Sequence, residues 1–299
     1  MTDRSQPLCL IALPGNEPLT HALAEQLGAD EVALDYRRFP DGESYLRLPD
    51  TLEDRHVALV ASLDRPDDKI PSLLFAADLA RDLGAARVGL VCPYLSYMRQ
   101  DTRFHPGEAL TSRSFARWLS AHLDWLVTVD PHLHRYRSLD EIYTLDSEVV
   151  AAAPALSEWI AASVERPVVI GPDGESEQWA RAVAKPAGLP WRVMTKTRFG
   201  DREVKLEVPD LSELEGHTPV LVDDIISSGG TVAEATRHLL EAGFAAPVVV
   251  AVHGLFGDRS RELLRHAGVA RVVCTNSVNA PESEIGLSRL LVPAIERLA

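Results

Sequence analysis

The chain has 299 residues, long enough for two domains of about 150 residues each. A hydrophobic share of 46% beside 25% charged residues is that of a folded protein with sizeable cores, and excludes a disordered chain. A net charge of -14 excludes the basic footprint that nucleic acid needs, and no apolar run reaches the length of a bilayer span, so neither nucleic acid nor a membrane is an expected partner.

Met1 to Pro7 lacks the character of a signal sequence, and Cys9, Cys92 and Cys274 lie far apart without a Cys-x-x-Cys pair. They read as buried thiols of a reducing compartment, and the expected location is cytoplasmic.

In chain order, Leu8 to Leu13 is a strand, and a helix follows from Pro18 to Leu27 with Gly28 as its stop. Glu31 to Arg38 is extended. Phe39-Pro40-Asp41-Gly42-Glu43 is strong turn chemistry ahead of the alternating Ser44 to Leu48, which fits a plain hairpin. Such a turn also leaves Phe39 exposed beside the Asp41 and Glu43 carboxylates, a ring flanked by acceptors that suits a purine with an exocyclic amine.

His56 to Ala61 is a strand, Lys69 to Leu83 a helix closed by Gly84, and Arg87 to Cys92 a strand. This alternation predicts a parallel sheet flanked by helices, which binds ligands beyond the carboxyl ends of its strands. The segment that follows Cys92 carries Tyr94, Tyr97, Arg99, Gln100, Asp101 and Arg103, a cluster that fits an anionic ligand with a ring or a solvated loop. Thr111 to His122 is helical, and Trp125 to Val129 is a buried strand ending at Asp130-Pro131-His132-Leu133-His134. His132 there is either structural or a group for metal-bound phosphates.

Glu148 to Ser163 is Ala-rich and predicted helical, opening a second half with the same element order. Pro167 to Ile170 is a strand and Trp179 to Ala187 a helix, and Asp173 stands between them as an N-cap or a second acidic group at the sheet edge. Trp191 to Thr195 and Glu203 to Val208 are extended, with Lys196 and Arg198 between them, in a charged hairpin or a closing flap that delivers cations to a phosphoryl group.

Val220-Leu221-Val222 is a strand, and Val232 to Ala242 a helix with Ala235, Leu239 and Leu240 on one face. Between them runs Asp223-Asp224-Ile225-Ile226-Ser227-Ser228-Gly229-Gly230-Thr231. Glycines and hydroxyls at a helix start present free N–H groups and a positive dipole end to phosphate oxygens. Carboxylates only accept hydrogen bonds, so Asp223 and Asp224 suit sugar hydroxyls, and the whole describes a ribose 5-phosphate moiety. Pro247 to His253, Arg259 to His266 and Arg271 to Thr275 continue the strand, helix, strand rhythm, and Leu287 to Leu298 is a final helix.

Asp223 to Thr231 resembles the phosphoribosyl-diphosphate binding motif of the type I phosphoribosyltransferases. With Phe39 to Glu43, Arg99 to Asp101, Asp130 to His132 and Pro172-Asp173 in order, almost the whole chain resembles the ribose-phosphate diphosphokinase family. That resemblance implies an α/β fold of two similar phosphoribosyltransferase-like domains, each a mainly parallel sheet flanked by helices. They are expected over 1–147, the ATP side, and 148–299, the ribose 5-phosphate side, with the last helix a candidate to fold back on the first.

The resemblance also implies the roles. Phe39, Asp41, Glu43, Arg99, Gln100 and Asp101 would hold ATP, the first three often from a neighbouring subunit of a homo-oligomer. His132 and Asp173 would serve Mg²⁺, with Asp173 also facing the sugar. Lys196 and Arg198 would be catalytic, and Asp223, Asp224, Ser227, Ser228, Gly229, Gly230 and Thr231 would bind ribose 5-phosphate. The implied reaction moves the β,γ-diphosphoryl group of Mg-ATP to the anomeric hydroxyl.

Three departures stand out. Asp173-Gly174-Glu175-Ser176-Glu177-Gln178-Trp179 replaces the family's Asp-x-Gly-Gly-x-x-Arg, Ser227 stands where many members have Asp, and Arg103 to Glu108 is similar to archaeal-type members. They bear on regulation by phosphate and ADP more than on catalysis. A base-using phosphoribosyltransferase and a non-catalytic regulatory relative of the synthetases stay open as other readings.

Overall fold

The computed structural model describes residues 7–49, 51–199, 203–207, 214 and 216–299, without the side chains of 175, 195–199 and 203–207. The chain divides into two compact units, Met1–Ala151 with Ser288–Ala299 and Ala152–Leu287.

The first unit runs β1 (Leu8–Ala12), α1 (Glu17–Leu27), β2 (Asp30–Glu31), β3 (Asp35–Arg38), β4 (Ser44–Arg47), β5 (His56–Val60), α2 (Ile70–Asp82), β6 (Arg87–Cys92), α3 (Thr111–His122), β7 (Trp125–Val129) and β8 (Asp146–Val150). Its parallel sheet has the order β2-β1-β5-β6-β7-β8, while β3 and β4 form a separate antiparallel hairpin. The central strands are unbroken apolar runs because helices cover both faces. On one face Ile11, Leu59, Leu90 and Leu126 meet Leu73 and Ala77 of α2 and Phe115 and Leu119 of α3. A Cβ on Gly89 would fall 1.8 Å from the ring of Trp125, its partner in register, so only glycine lets that fully buried indole lie across the sheet.

The second unit runs α4 (Ala153–Ser163), β9 (Pro167–Gly171), α5 (Glu177–Ala187), β10 (Trp191–Val193), β11 (Thr195–Phe199), β12 (Glu203–Glu207), β13 (Thr218–Ile226), α6 (Gly230–Glu241), β14 (Val248–Gly254), α7 (Asp258–Ala267), β15 (Arg271–Thr275) and β16 (Ser283–Ile285). Its parallel sheet is ordered β10-β9-β13-β14-β15-β16, with β11 and β12 as a separate hairpin. Counted along each unit's own chain, both sheets have the order 2-1-3-4-5-6, with a hairpin inserted between the second and third strands. The last element, α8 (Ser288–Leu298), belongs to the first unit and packs on α1, β7 and β8 through Leu291, Ala294 and Ile295.

Three local expectations need correction. Residues 148–150 are not helical: they end β8, paired to β7, because Val149 and Val150 favour extended backbone and the proline in the first turn of α4 marks where that helix begins. The strand before the acidic pair is longer than Val220 to Val222. β13 carries Asp223 and Asp224 within it and ends only at Ile226, because its pairing with β14 persists. Leu240 is 37% exposed rather than on the buried face of α6, which is formed by Val232, Ala233, Ala235, Thr236 and Leu239. Among the described residues no helix is long and apolar enough to cross a membrane.

Candidate functional site

In each unit the loops that leave the carboxyl ends of parallel strands share one edge of the sheet, where the backbone of a doubly wound sheet opens to ligands. The sequence-selected residues of the second unit lie along this edge. Beyond the pairing of Leu221 with Ile170, β13 runs on without β9 beside it, so its acidic end projects past that neighbour. The carboxylate of Asp223 accepts from the Asp224 N–H at 2.9 Å, and that of Asp224 from the Ile225 N–H at 2.7 Å. Burial, then the charges of Asp224 and Asp173, push the Asp223 carboxyl up to about 8.

β13 then turns through Ser227, Ser228 and Gly229. Gly229 caps α6 with φ 75°, a left-handed conformation that costs an L-residue about 1–2 kcal/mol, and a Cβ there would stand 3.3 Å from the Leu264 side chain. The turn is pinned from below: Ser260 Oγ donates to the Ser227 carbonyl at 2.7 Å, and the Leu255 N–H to the Ile226 carbonyl at 2.8 Å. The Gly230 N–H reaches Ser228 Oγ at 3.4 Å, and no N-cap side chain closes the helix start, so its dipole end faces outward. Thr231 is half-buried in the first turn.

Asp173 follows β9. Its carboxylate accepts from the Ser176 N–H at 3.2 Å, Ser176 Oγ donates to the Asp173 carbonyl, and together they build the short turn that leads into α5. Asp173 thus caps this short turn rather than α5, whose own N-cap is Ser176 with no side-chain cap bond, and its charge acts on Asp223. Lys196 and Arg198 lie in β11, in register with Leu206 and Val204 of β12. Their side chains, that of Glu175, and residues 200–202 of the hairpin's connection lie outside the described residues.

In the first unit Phe39, Asp41 and Glu43 form the tip of the β3–β4 hairpin. The Phe39 N–H donates to the Glu43 carbonyl at 2.8 Å, the Gly42 N–H to the Phe39 carbonyl at 2.9 Å and the Glu43 N–H to Asp41 Oδ1 at 3.3 Å. The hairpin expectation and the exposed-ring expectation are both met, with Phe39 38% exposed and both carboxylates exposed. One neighbour was missed from sequence: the Arg37 guanidinium lies 4.8 Å from the Phe39 ring and 4.4 Å from that of Tyr45. Its place on β3, two residues before the ring at the hairpin tip, was the available signal.

The Arg99, Gln100 and Asp101 segment follows β6. Arg99 is exposed. Gln100 turns inward, its Oε1 accepting from Thr111 Oγ1 and its carbonyl from Ser112 Oγ, both at 3.0 Å, which ties the segment to the start of α3. Asp101 is buried. His132, after β7, is half-buried with φ 51°, two residues past Asp130 with φ 37°. Its ring lies parallel to that of His134, with centroids 6.0 Å apart. Positive φ at two non-glycine residues stores strain on the order of 1–3 kcal/mol each, as functional loops often do.

The arrangement invites comparison with known proteins. The model of the N-terminal domain of ribose phosphate pyrophosphokinase matches residues 8–122, and that of the phosphoribosyl transferase domain matches residues 138–288. The ribose-phosphate pyrophosphokinase of Methanopyrus kandleri is 35% identical over 98% of this chain and 100% of its own length. That of Saccharolobus solfataricus is 33% identical over 89% of this chain and 92% of its own. The chain belongs to the ribose-phosphate pyrophosphokinase family. The crystal structure of phosphoribosylpyrophosphate synthetase from Mycobacterium smegmatis, 25% identical, superposes with a TM-score of 0.82 over 97% of this chain and 98% of that one. Membership fixes the α/β fold of two similar domains, each a parallel sheet flanked by helices.

Proposed function

We propose that the protein is a ribose-phosphate diphosphokinase: it transfers the β,γ-diphosphoryl group of ATP to the C1 hydroxyl of ribose 5-phosphate, giving 5-phospho-ribose 1-diphosphate and AMP. The observation that carries this reading is the end of β13, where two carboxylates run into a left-handed glycine and an uncapped helix start, in a chain that also matches the pyrophosphokinase N-terminal domain. Ser227, Ser228, Gly229, Gly230 and Thr231 hold the 5-phosphate by N–H and O–H donors. Asp223, Asp224 and Asp173 accept from the ribose hydroxyls.

Phe39 stacks the adenine, with Asp41 and Glu43 accepting from its amine, and Arg99, Gln100 and Asp101 complete the nucleotide site. The protein works as a homo-oligomer in the cytoplasm. Among the described residues there is no group of three or more His, Cys, Asp or Glu side chains able to hold a metal ion. Mg²⁺ arriving with the nucleotide keeps several waters and takes one or two protein ligands, and His132 and Asp173, one in each unit, would each serve such an ion. When bound it neutralises phosphate charge.

The sugar hydroxyl is the nucleophile, so the chain's own part is to align the reactants and to aim Lys196 and Arg198 at the charge developing on the transferred group. Lys196→Ala should lower kcat about a hundredfold or more while changing the KM for ATP little. The decisive assay is AMP release from Mg-ATP with and without ribose 5-phosphate. AMP formed only with the sugar supports the reading. Nucleotide formed from a nucleobase and phosphoribosyl diphosphate, or no AMP at all, overturns it.

A further inference from the structure

Asp101 is the buried member of the Arg-Gln-Asp segment, its side chain only 4% exposed. A carboxylate that deep needs a cation or several donors to stay charged. Its partner comes from another loop: Arg135 Nη1 donates to Asp101 Oδ1 at 3.2 Å. The same guanidinium lies 5.7 Å from the centroid of the Phe104 ring, which is 66% exposed. Glu108 fixes the Phe104 turn, since its Oε2 accepts from the Phe104 and His105 N–H groups at 2.7 and 3.1 Å. Next to Arg135, the Tyr136 hydroxyl bonds Ser112 Oγ at 3.1 Å and reaches the Asp101 carbonyl at 3.5 Å, while Ser112 Oγ holds the Gln100 carbonyl.

Arg135 is also three residues from His132, in the loop whose backbone is strained at Asp130 and His132. One side chain therefore touches both ends of the 101–104 stretch while its backbone belongs to the histidine loop.

We infer that Arg135 is a positioning residue for the nucleotide: by neutralising Asp101 and lying against Phe104 it sets the course of the segment that presents Arg99, and couples that segment to the loop bearing His132. This rests on the nucleotide-binding reading of Arg99 to Asp101. Removing the guanidinium leaves a buried carboxylate without its cation, so the segment shifts to let solvent reach Asp101 and Arg99 is no longer presented. Lysine supplies the charge without the flat face against Phe104 and restores part of the function.

The test is steady-state kinetics in both substrates on Arg135→Ala, Arg135→Lys, Asp101→Asn, the Arg135→Ala/Asp101→Asn double variant and Arg99→Ala, with circular dichroism to verify folding. Arg135→Ala should raise the KM for ATP about tenfold or more while the KM for ribose 5-phosphate stays within about twofold, and Arg135→Lys should recover part of the loss. In the Asp101→Asn background the same change should cost less than about threefold, because the charge that Arg135 serves is gone. Equal changes in both KM values, no change in either, or additive effects in the double variant overturn the inference. If Arg135→Ala does not fold, Arg135→Lys against Asp101→Asn decides by the same ATP-selective pattern. Arg99→Ala separates the two levels: an unchanged KM for ATP there overturns the nucleotide reading and this inference with it, whereas a raised value beside a silent Arg135→Ala overturns the inference alone.

Discussion

Asp223 is a residue whose chemistry departs far from its type. Burial and the neighbouring charges of Asp224 and Asp173 push its carboxyl up to about 8, so in the absence of ligand the Asp223–Asp224 pair holds a proton to higher pH than ordinary carboxylates do. An acid whose folded value lies above its unfolded one, about 4, contributes fully below that unfolded value and loses the contribution as pH rises through the folded value. The protein without nucleotide, sugar phosphate or divalent cation should thus lose thermal stability between about pH 5 and pH 8. Asp223→Asn should flatten that slope and raise Tm at about pH 8 while abolishing synthesis, and a slope unchanged by the substitution would show that the charge sits elsewhere. Tyr97, pushed up to about 12 by burial and by its hydrogen bond to the Asp67 carboxylate, stays neutral and ties the start of the Arg-Gln-Asp segment to the loop before α2. Among the cysteines, burial raises the Cys274 thiol to about 12 and the Cys92 thiol further, which makes both inert.

At the scale of elements, the strand-to-helix turn at Gly229 is the part most open to test. Gly229→Ala would place an L-residue at φ 75° and push a methyl against Leu264, already 3.3 Å from where it would stand. The expected cost is about 1–2 kcal/mol in chemical denaturation, with a raised KM for ribose 5-phosphate and little change in the KM for ATP. A variant of wild-type stability and wild-type KM for the sugar would mean that the turn can relax without consequence. The two hairpins are the other informative elements. Each is inserted between the second and third strands of its sheet, one with Phe39 at its tip and the other with Lys196 and Arg198 along a strand. A shared topology has thus been loaded with different chemistry, an exposed ring in one copy and cations in the other.

For the molecule as a whole, the repetition extends to the helices. In the second unit α4 precedes the first strand and packs on α5, the helix that follows it; in the first unit α8 packs in the same relation on α1. Yet α4 comes in sequence directly after β8, the last strand of the first unit, and α8 follows β16, the last strand of the second. Thus α8, although it follows the second unit's last strand, belongs to the first unit, whereas α4 belongs to the unit that it opens. Leu291 and Ile295 are completely buried on α8, so Leu291→Ala should cost about 2–5 kcal/mol, seen as early unfolding of the first unit by hydrogen exchange while the second keeps its protection. Early exchange in the second unit, or none, would contradict the assignment of α8. The Arg87 Nη1 bond to the Leu298 carbonyl at 2.8 Å and the Arg297–Glu148 pair tether the same helix.

What the amino-acid order determined by itself was whatever depends on neighbours in sequence. Apolar runs between polar turns marked most of the long strands, the stops at Gly28 and Gly84 bounded two helices, and Asp223 to Thr231 announced a strand-to-helix turn, because glycine freedom, helix-start donors and side-chain alternation act over a few residues. The two-residue strand at Asp30–Glu31 and the short strand at Ser283–Ile285 were not legible, since each exists only by pairing with a sheet edge built elsewhere. Nor could sequence spacing show that Asp101 turns inward to Arg135, that Gln100 is spent on Thr111, or that burial and neighbouring charges raise the Asp223 carboxyl. Those outcomes belong to the tertiary structure, because burial and charge proximity are set by groups that lie tens to hundreds of residues apart and meet only once the sheets have formed.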